Sequence, residues 1–120
     1  MARIQFRDVI VAISHSGKAA ELLQLAPHLE ARGAPLLAIV SDTVSPLGAA
    51  AAAALAAPVP PASGGSGELL GSVPSRSIVV QEALVNAVVS ELVAARGFTP
   101  ADFKHHHPGG AIGASKPAAN

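Results

Sequence analysis

The chain contains no cysteine, no tryptophan and no tyrosine, and only three phenylalanines. Without cysteine there is no disulfide, no thiolate metal ligand and no cysteine nucleophile, which fits the cytosol. Without large aromatics, a core must be built from aliphatic side chains, as in the parallel sheets of α/β domains. Charge is scarce as well: eight basic and eight acidic residues cancel to a formal net charge of zero. No Lys/Arg cluster marks a nucleic-acid or anionic-membrane surface. Asp8 interrupts the first apolar stretch early, so these residues are not expected to form a signal-peptide core. The longest apolar run, Ala49 to Pro61, is alanine-rich and ends in prolines, too short and too weakly hydrophobic to span a bilayer. These absences lead to the expectation of a soluble, cytoplasmic protein with no nucleic-acid and no membrane partner.

What is present is 120 residues, half of them apolar, enough for one small domain. Asp8 to Ile13 is an apolar, β-branched run that reads as a strand covered on both faces. The helix expected over Lys18 to Arg32 places Leu22, Leu25, Ala26 and Leu29 on one face. Pro27 predicts a kink or local break in it, and Gly33 its end. Pro35 to Val40 reads as a second buried strand. Leu47 to Ala56 reads as an alanine-rich helix, and Ala57 to Pro60 as a short edge strand confined there by its prolines. Pro61 to Gly67 has the composition of a flexible loop. A long helix is expected from about Val73 to Arg96, apolar more than halfway round and therefore buried on two sides, within the domain or at a subunit interface. Gly97 ends it, Thr99 and Pro100 start a short helical turn, and the segment from His105 onward reads as an extended or partly disordered tail. The order β-α-β-α-(β)-α argues for a parallel sheet flanked by helices. Two strong strands are few for such a sheet, so the chain reads as part of a larger fold or as needing a partner copy.

Three segments carry candidate chemistry. The first is Ser14-His15-Ser16-Gly17-Lys18, between a strand and a helix. Small and hydroxyl residues at that junction are where α/β proteins hold phosphate, through backbone N–H groups and the helix dipole. A nucleotide P-loop is excluded, since Ala12 and Ala19 stand where its first Gly and its Ser/Thr belong. As an isolated feature, such a turn is more often a plain connection. The second is His105-His106-His107-Pro108-Gly109-Gly110. Adjacent histidines diverge on an extended chain and make a poor metal cage. His107 differs because the Pro-Gly-Gly turn after it can aim its imidazole as an acid/base. The third is Pro74-Ser75-Arg76-Ser77. Its serines cap a helix, and the same hydroxyls with Arg76 also suit a phosphate. Glu68 lies in the loop before it.

In order, these segments resemble the sugar isomerase (SIS) domain of the arabinose 5-phosphate isomerases. The family pattern Ser-x-Ser-Gly-Glu-Ser/Thr-x-Glu is met by Ser14-His15-Ser16-Gly17-Lys18-Ala19-Ala20-Glu21, and Pro-Thr-Ser-Ser/Thr by Pro74-Ser75-Arg76-Ser77. Its Ala-Arg-Gly-Phe-Thr-x-x-Asp-Phe stands at Ala95 to Phe103, and its His-Pro-Gly-Gly-Ala-hydrophobic-Gly at His107 to Gly113. The resemblance implies a truncated, Rossmann-like SIS domain over residues 1–113 with a tail at 114–120. It implies a sugar-phosphate ligand, aldose–ketose isomerisation through an enediol, no cofactor and no metal, and a homo-oligomer with an active site shared between subunits. Ser14, Ser16, Gly17, Ser75 and Ser77 would bind the phosphate and His107 would be the catalytic acid/base. Lys18, Glu68 and Arg76 are further possible contributors. Lys18 stands where the pattern has its acid, and Ala19 where it has a hydroxyl. The resemblance takes in neither the first half of the usual domain nor the regulatory CBS pair. The alternative is therefore a non-catalytic phosphosugar-binding or regulatory module, or an inactive fragment.

Overall fold

Leu36, Ala38 and Val40 alternate along β2 (Leu36–Val40), and all are buried because the strand has a parallel neighbour on each side. In the computed structural model, which describes residues 4–61 and 66–114, β1 (Ile10–Ser14) lies on one side of β2 and β3 (Ala53–Ala56) on the other. The register pairs Ala12 with Ala38, and Ala38 with Ala54. The result is a row of methyl groups across the sheet. Parallel neighbours need a crossover. The first is α1 (Ala20–Glu30) and the second contains α2 (Pro46–Ala50). This bears out an α/β fold with a parallel sheet flanked by helices.

The core lies between the sheet and α1. Leu29 and Leu47 are fully buried with Val40, and Leu22, Leu23, Leu25 and Ala26 pack around them. The expected break at Pro27 is not found. The helix runs through it, with Pro27 on the exposed side and Leu29 in the core two residues later. A ring that faces solvent leaves the freed carbonyl to water, and burial of the apolar face holds the helix together.

Three further expectations are corrected. β1 is not covered on both faces: Ala12 faces the core, whereas Val11 and Ile13 are exposed, because β1 is an edge strand with helices packed on one side only. The alanine-rich stretch is not one helix. It leaves helical geometry at Ala51 (ψ 149°), and Ala53–Ala56 form the third strand, four residues earlier than Ala57 to Pro60. Alanine's helix propensity is a weak preference, and the open edge of β2 offers a ladder of backbone hydrogen bonds instead. The segment after His105 is not simply extended either. It forms α5 (Gly110–Ala114), while residues 115–120 and part of the expected flexible loop, residues 62–65, lie outside the described residues.

The chain divides into two compact units, Met1–Leu84 and Val85–Asn120. The long helix α3 (Arg76–Ala95) begins in the first and continues into the second. The burial expected for it within the domain is not found. Only Ser77 is buried, and Ile78, Val79, Val88, Val89, Leu92 and Val93 are exposed. By length and composition alone α3 is long and apolar enough to cross a membrane. Glu82 and Glu91 interrupt it, so the longest uncharged run of the sequence does not reveal it. The second unit also holds α4 (Pro100–His105), where Thr99 and Asp102 form a reciprocal capping box at the expected position.

Candidate functional site

The carboxyl end of β1 leads into a turn that its own serines shape. The Ser14 hydroxyl accepts from the Gly17 N–H and the Ser16 hydroxyl from the Lys18 N–H, each at 3.2 Å. Gly17 has φ +64°, a region costly for a residue with a Cβ. The turn is stitched to the β2–α2 loop: Ser41 N–H donates to His15 O and Leu47 N–H to Gly17 O, both at 2.9 Å. Ser45, itself buried, caps α2 by accepting from the Gly48 N–H. The helix after the turn has no such cap. Ala19 occupies the N-cap of α1 and supplies no side-chain acceptor, so the first N–H groups of α1 are left without one.

The start of α3 is built the opposite way. The half-buried Glu68 carboxylate accepts from the N–H groups of Ser75 and Ser77 and from the Ser75 hydroxyl. Burial works against the ionised form. The hydrogen bonds from Ser77 and Ser75, side chain and backbone, outweigh it and hold the carboxyl at about 2 rather than the ordinary 4.5. Arg76 Nη1 donates to Gly67 O at 2.9 Å, and Leu69 N–H to the Ser75 hydroxyl at 3.0 Å. Gly67 (φ +77°) packs against Val59, where a Cβ would run into Val59 O.

Between the β1–α1 turn and the start of α3 lies an open cleft of about 350 Å³, lined by His15, Ser16, Glu68, Ser72, Pro74, Ser77, Ile78 and Gln81. It sits after the carboxyl end of β1, where open α/β sheets bind ligands. A larger cleft of about 460 Å³ lies at the other end of the strands, against Pro35 and Leu36. Its lining is almost wholly aliphatic, with Glu30 its one ionisable side chain, so it offers little to orient a polar ligand.

Of the residues singled out from sequence, Ser16, Ser77 and Glu68 come together in the cleft. Ser14 and Gly17 form the turn behind it, and Ser75 and Arg76 bind the loop that carries Glu68. Lys18 is exposed beside the turn. His15 and Gln81 also line the cleft, and neither stood out in the sequence. The His15 Nδ1 atom is buried and has no hydrogen-bond partner among the described residues. His15 is flanked by both serines of the motif, but its direction depends on the turn geometry.

His107 belongs to the second unit. Its Nδ1 is 2.8 Å from Phe103 O, and its ring lies tilted against that of Phe103 with centroids 4.3 Å apart. A carbonyl only accepts, so this contact puts a proton on Nδ1, and in the neutral ring Nε2 is then the acceptor nitrogen. His106 repeats the arrangement with Asp102 O at 2.7 Å. Among the described residues, no group of three His, Cys, Asp or Glu side chains comes close enough to hold a metal ion.

A family model described as SIS domain matches residues 1–91. Arabinose 5-phosphate isomerase KdsD of Pseudomonas aeruginosa is 38% identical over 113 residues, covering 94% of this chain and 33% of that protein. Arabinose 5-phosphate isomerase GutQ of Escherichia coli K12 is 37% identical, covering 95% of this chain and 34% of that protein. The chain thus spans about a third of the length of the curated relatives it matches. Among solved structures, an Escherichia coli CFT073 protein in complex with arabinose 5-phosphate aligns with a TM-score of 0.76 at 31% identity, over 88% of this chain and 54% of that one. A second, described as a hypothetical protein, aligns with a TM-score of 0.68 at 18% identity and bears on the fold alone.

Proposed function

Because the chain belongs to the SIS domain family, we propose that it binds a sugar phosphate in the cleft between the β1–α1 turn and the start of α3. The observation that carries this reading is the meeting of Ser16 and Ser77, from two separate motifs, in one cleft. Hydroxyls and helix-start N–H groups suit a phosphate, which accepts hydrogen bonds and carries negative charge. Ser14 and Gly17 hold the turn in shape, Ser75 and Arg76 hold the loop facing it, and Lys18 adds a cation beside the turn. The arabinose 5-phosphate isomerase relatives and the sugar-phosphate-bound neighbour make a pentose phosphate the first ligand to try.

The finer reading is aldose–ketose isomerisation. A base takes the proton from the carbon beside the carbonyl, an enediol forms, and the proton returns to the neighbouring carbon. His107 is the proposed acid/base, its acceptor nitrogen Nε2 set by the Phe103 carbonyl. No cofactor is required for this proton transfer. A cytoplasmic homo-oligomer is part of the same proposal, supported by the apolar side chains left exposed along α3. The second reading, a binding or regulatory module without turnover, is favoured by Lys18, which cannot supply the carboxylate that the family pattern has at that position.

Incubation of the purified chain with arabinose 5-phosphate, with ribulose 5-phosphate as the assayed product, tests both. Turnover abolished by His107→Ala supports isomerisation, and turnover that survives it removes His107 from the chemistry. Heat released on titrating the sugar phosphate, without turnover, supports the module. A chain that neither turns over nor binds the sugar phosphate overturns the sugar-phosphate reading.

A further inference from the structure

The donors at the start of α3 already hold an anion, and it comes from the chain itself. The N–H groups of Ser75 and Ser77 point at the Glu68 carboxylate, and the Ser75 hydroxyl lies within reach of it and of Val73 O. Each of these groups has a single proton to give. A phosphate entering the cleft cannot use them while Glu68 does. We infer that Glu68 is a self-inhibitory plug: its carboxylate stands in for the ligand's phosphate, and the sugar phosphate gains these donors only when the Glu68 loop lets go. This rests on the sugar-phosphate reading above and concerns the regulation of that same cleft.

Several observations point the same way. Glu68 lines the cleft together with Ser16 and Ser77, so the competitor sits where the ligand is proposed to sit. His15 lines the facing wall, and its buried Nδ1 has no hydrogen-bond partner among the described residues. Apart from the bonds to Glu68, the loop is held by local contacts: Arg76 to Gly67 O, the Ser66 hydroxyl to Gly71 O, Leu69 N–H to the Ser75 hydroxyl, and the turns Gly71 N–H to Glu68 O and Val73 N–H to Leu69 O. Its tip is Leu70, almost fully exposed and in a left-handed conformation (φ 50°) that a leucine adopts only under constraint. Opening the loop breaks the bonds to Glu68, and a phosphate that takes the same donors replaces them.

The test is calorimetric titration of the full chain, wild type against Glu68→Gln and Glu68→Ala, with inorganic phosphate and with arabinose 5-phosphate. Glutamine keeps the shape of Glu68 but not its charge, and neutral acceptors are held less tightly than charged ones. Relief of the plug should therefore tighten both ligands by about tenfold. Binding by the wild type that is unchanged or weaker in Glu68→Gln overturns the plug and leaves the sugar-phosphate reading standing. If none of the proteins binds either ligand, both fail. Should the variants not fold by circular dichroism, cleavage of the wild type after Glu68 by a glutamate-specific protease decides. Phosphate that accelerates cleavage supports the plug, whereas protection or no change overturns it.

Discussion

Gly17 and Ser45 approach so closely that a Cβ built on Gly17 would overlap the Ser45 hydroxyl oxygen and lie 2.5 Å from the Ser45 Cβ. Position 17 is therefore closed to side chains twice over, by this approach and by its φ of +64°. Gly17→Ala combines left-handed backbone strain with a clash against a buried helix cap. We expect it to destabilise the chain by about 2–4 kcal/mol. A chemical denaturation curve that moves by less than ~0.5 kcal/mol would contradict this. Loss of ligand binding in Gly17→Ala would follow from the displaced turn rather than from a lost contact.

Leu29 is 1% exposed and sits where α1 meets the sheet. It shares the core with Leu36, Val40 and Leu47 as well as Ala12, Ala34 and Ala38, so its truncation leaves a void in the middle of the packed layer. Leu29→Ala should cost about 3–5 kcal/mol, at the upper end for a leucine truncation. Leu22→Ala, at a half-buried position on the same helix, should cost about half as much or less. The two midpoints in urea check the order.

Glu68 makes the loop at residues 66–77 sensitive to acid. Its carboxyl is lowered from 4.5 to about 2, so the ionised form is the one the folded loop favours. The resulting stabilisation is fully present above about pH 4.5 and is lost as the pH falls towards 2. Amide resonances of Ser75 and Ser77 followed through an acid titration should report that loss. In Glu68→Gln they should stay flat over the same interval.

Thr99 and Asp102 cap α4 reciprocally, and both Thr99 hydrogen bonds, from hydroxyl and backbone, draw the Asp102 carboxyl below its ordinary range. His106 and His105 add smaller effects in the same direction. Thr99→Ala should raise the Asp102 pKa and weaken the helix by about 1 kcal/mol. Amide exchange in α4 should quicken, while exchange in β2, in the other compact unit, stays unchanged. Equal loss of protection in both would show that the cap supports more than its own helix.

β1, α1 and β2 were legible in the sequence because each carries a strong apolar pattern between clear breakers. The serine turn lay at their junction for the same reason. β3 was not legible: Ala53, Ala54, Leu55 and Ala56 carry no strand signature, and only the free edge of β2 makes them a strand. The exposure of α3 was hidden as well, since an apolar pattern states what a helix could bury and not what is there to cover it. In the cleft, the serines and Glu68 announced themselves by residue type. His15 and Gln81 did not, because only the folded turn and the rotation of α3 aim them at the same space.

The row Ala12, Ala38 and Ala54 bears on how this core can change. Alanine has no χ angle, so this row of the sheet loses no rotamer freedom on folding and has none with which to adapt. Adjustment falls to its neighbours, the leucines of α1 and Leu36 and Val40 on either side of Ala38. A bulkier residue in the row has no room of its own to turn into. It would have to be matched by a smaller one on the helix, and variation in this core should come in compensating pairs across the two layers.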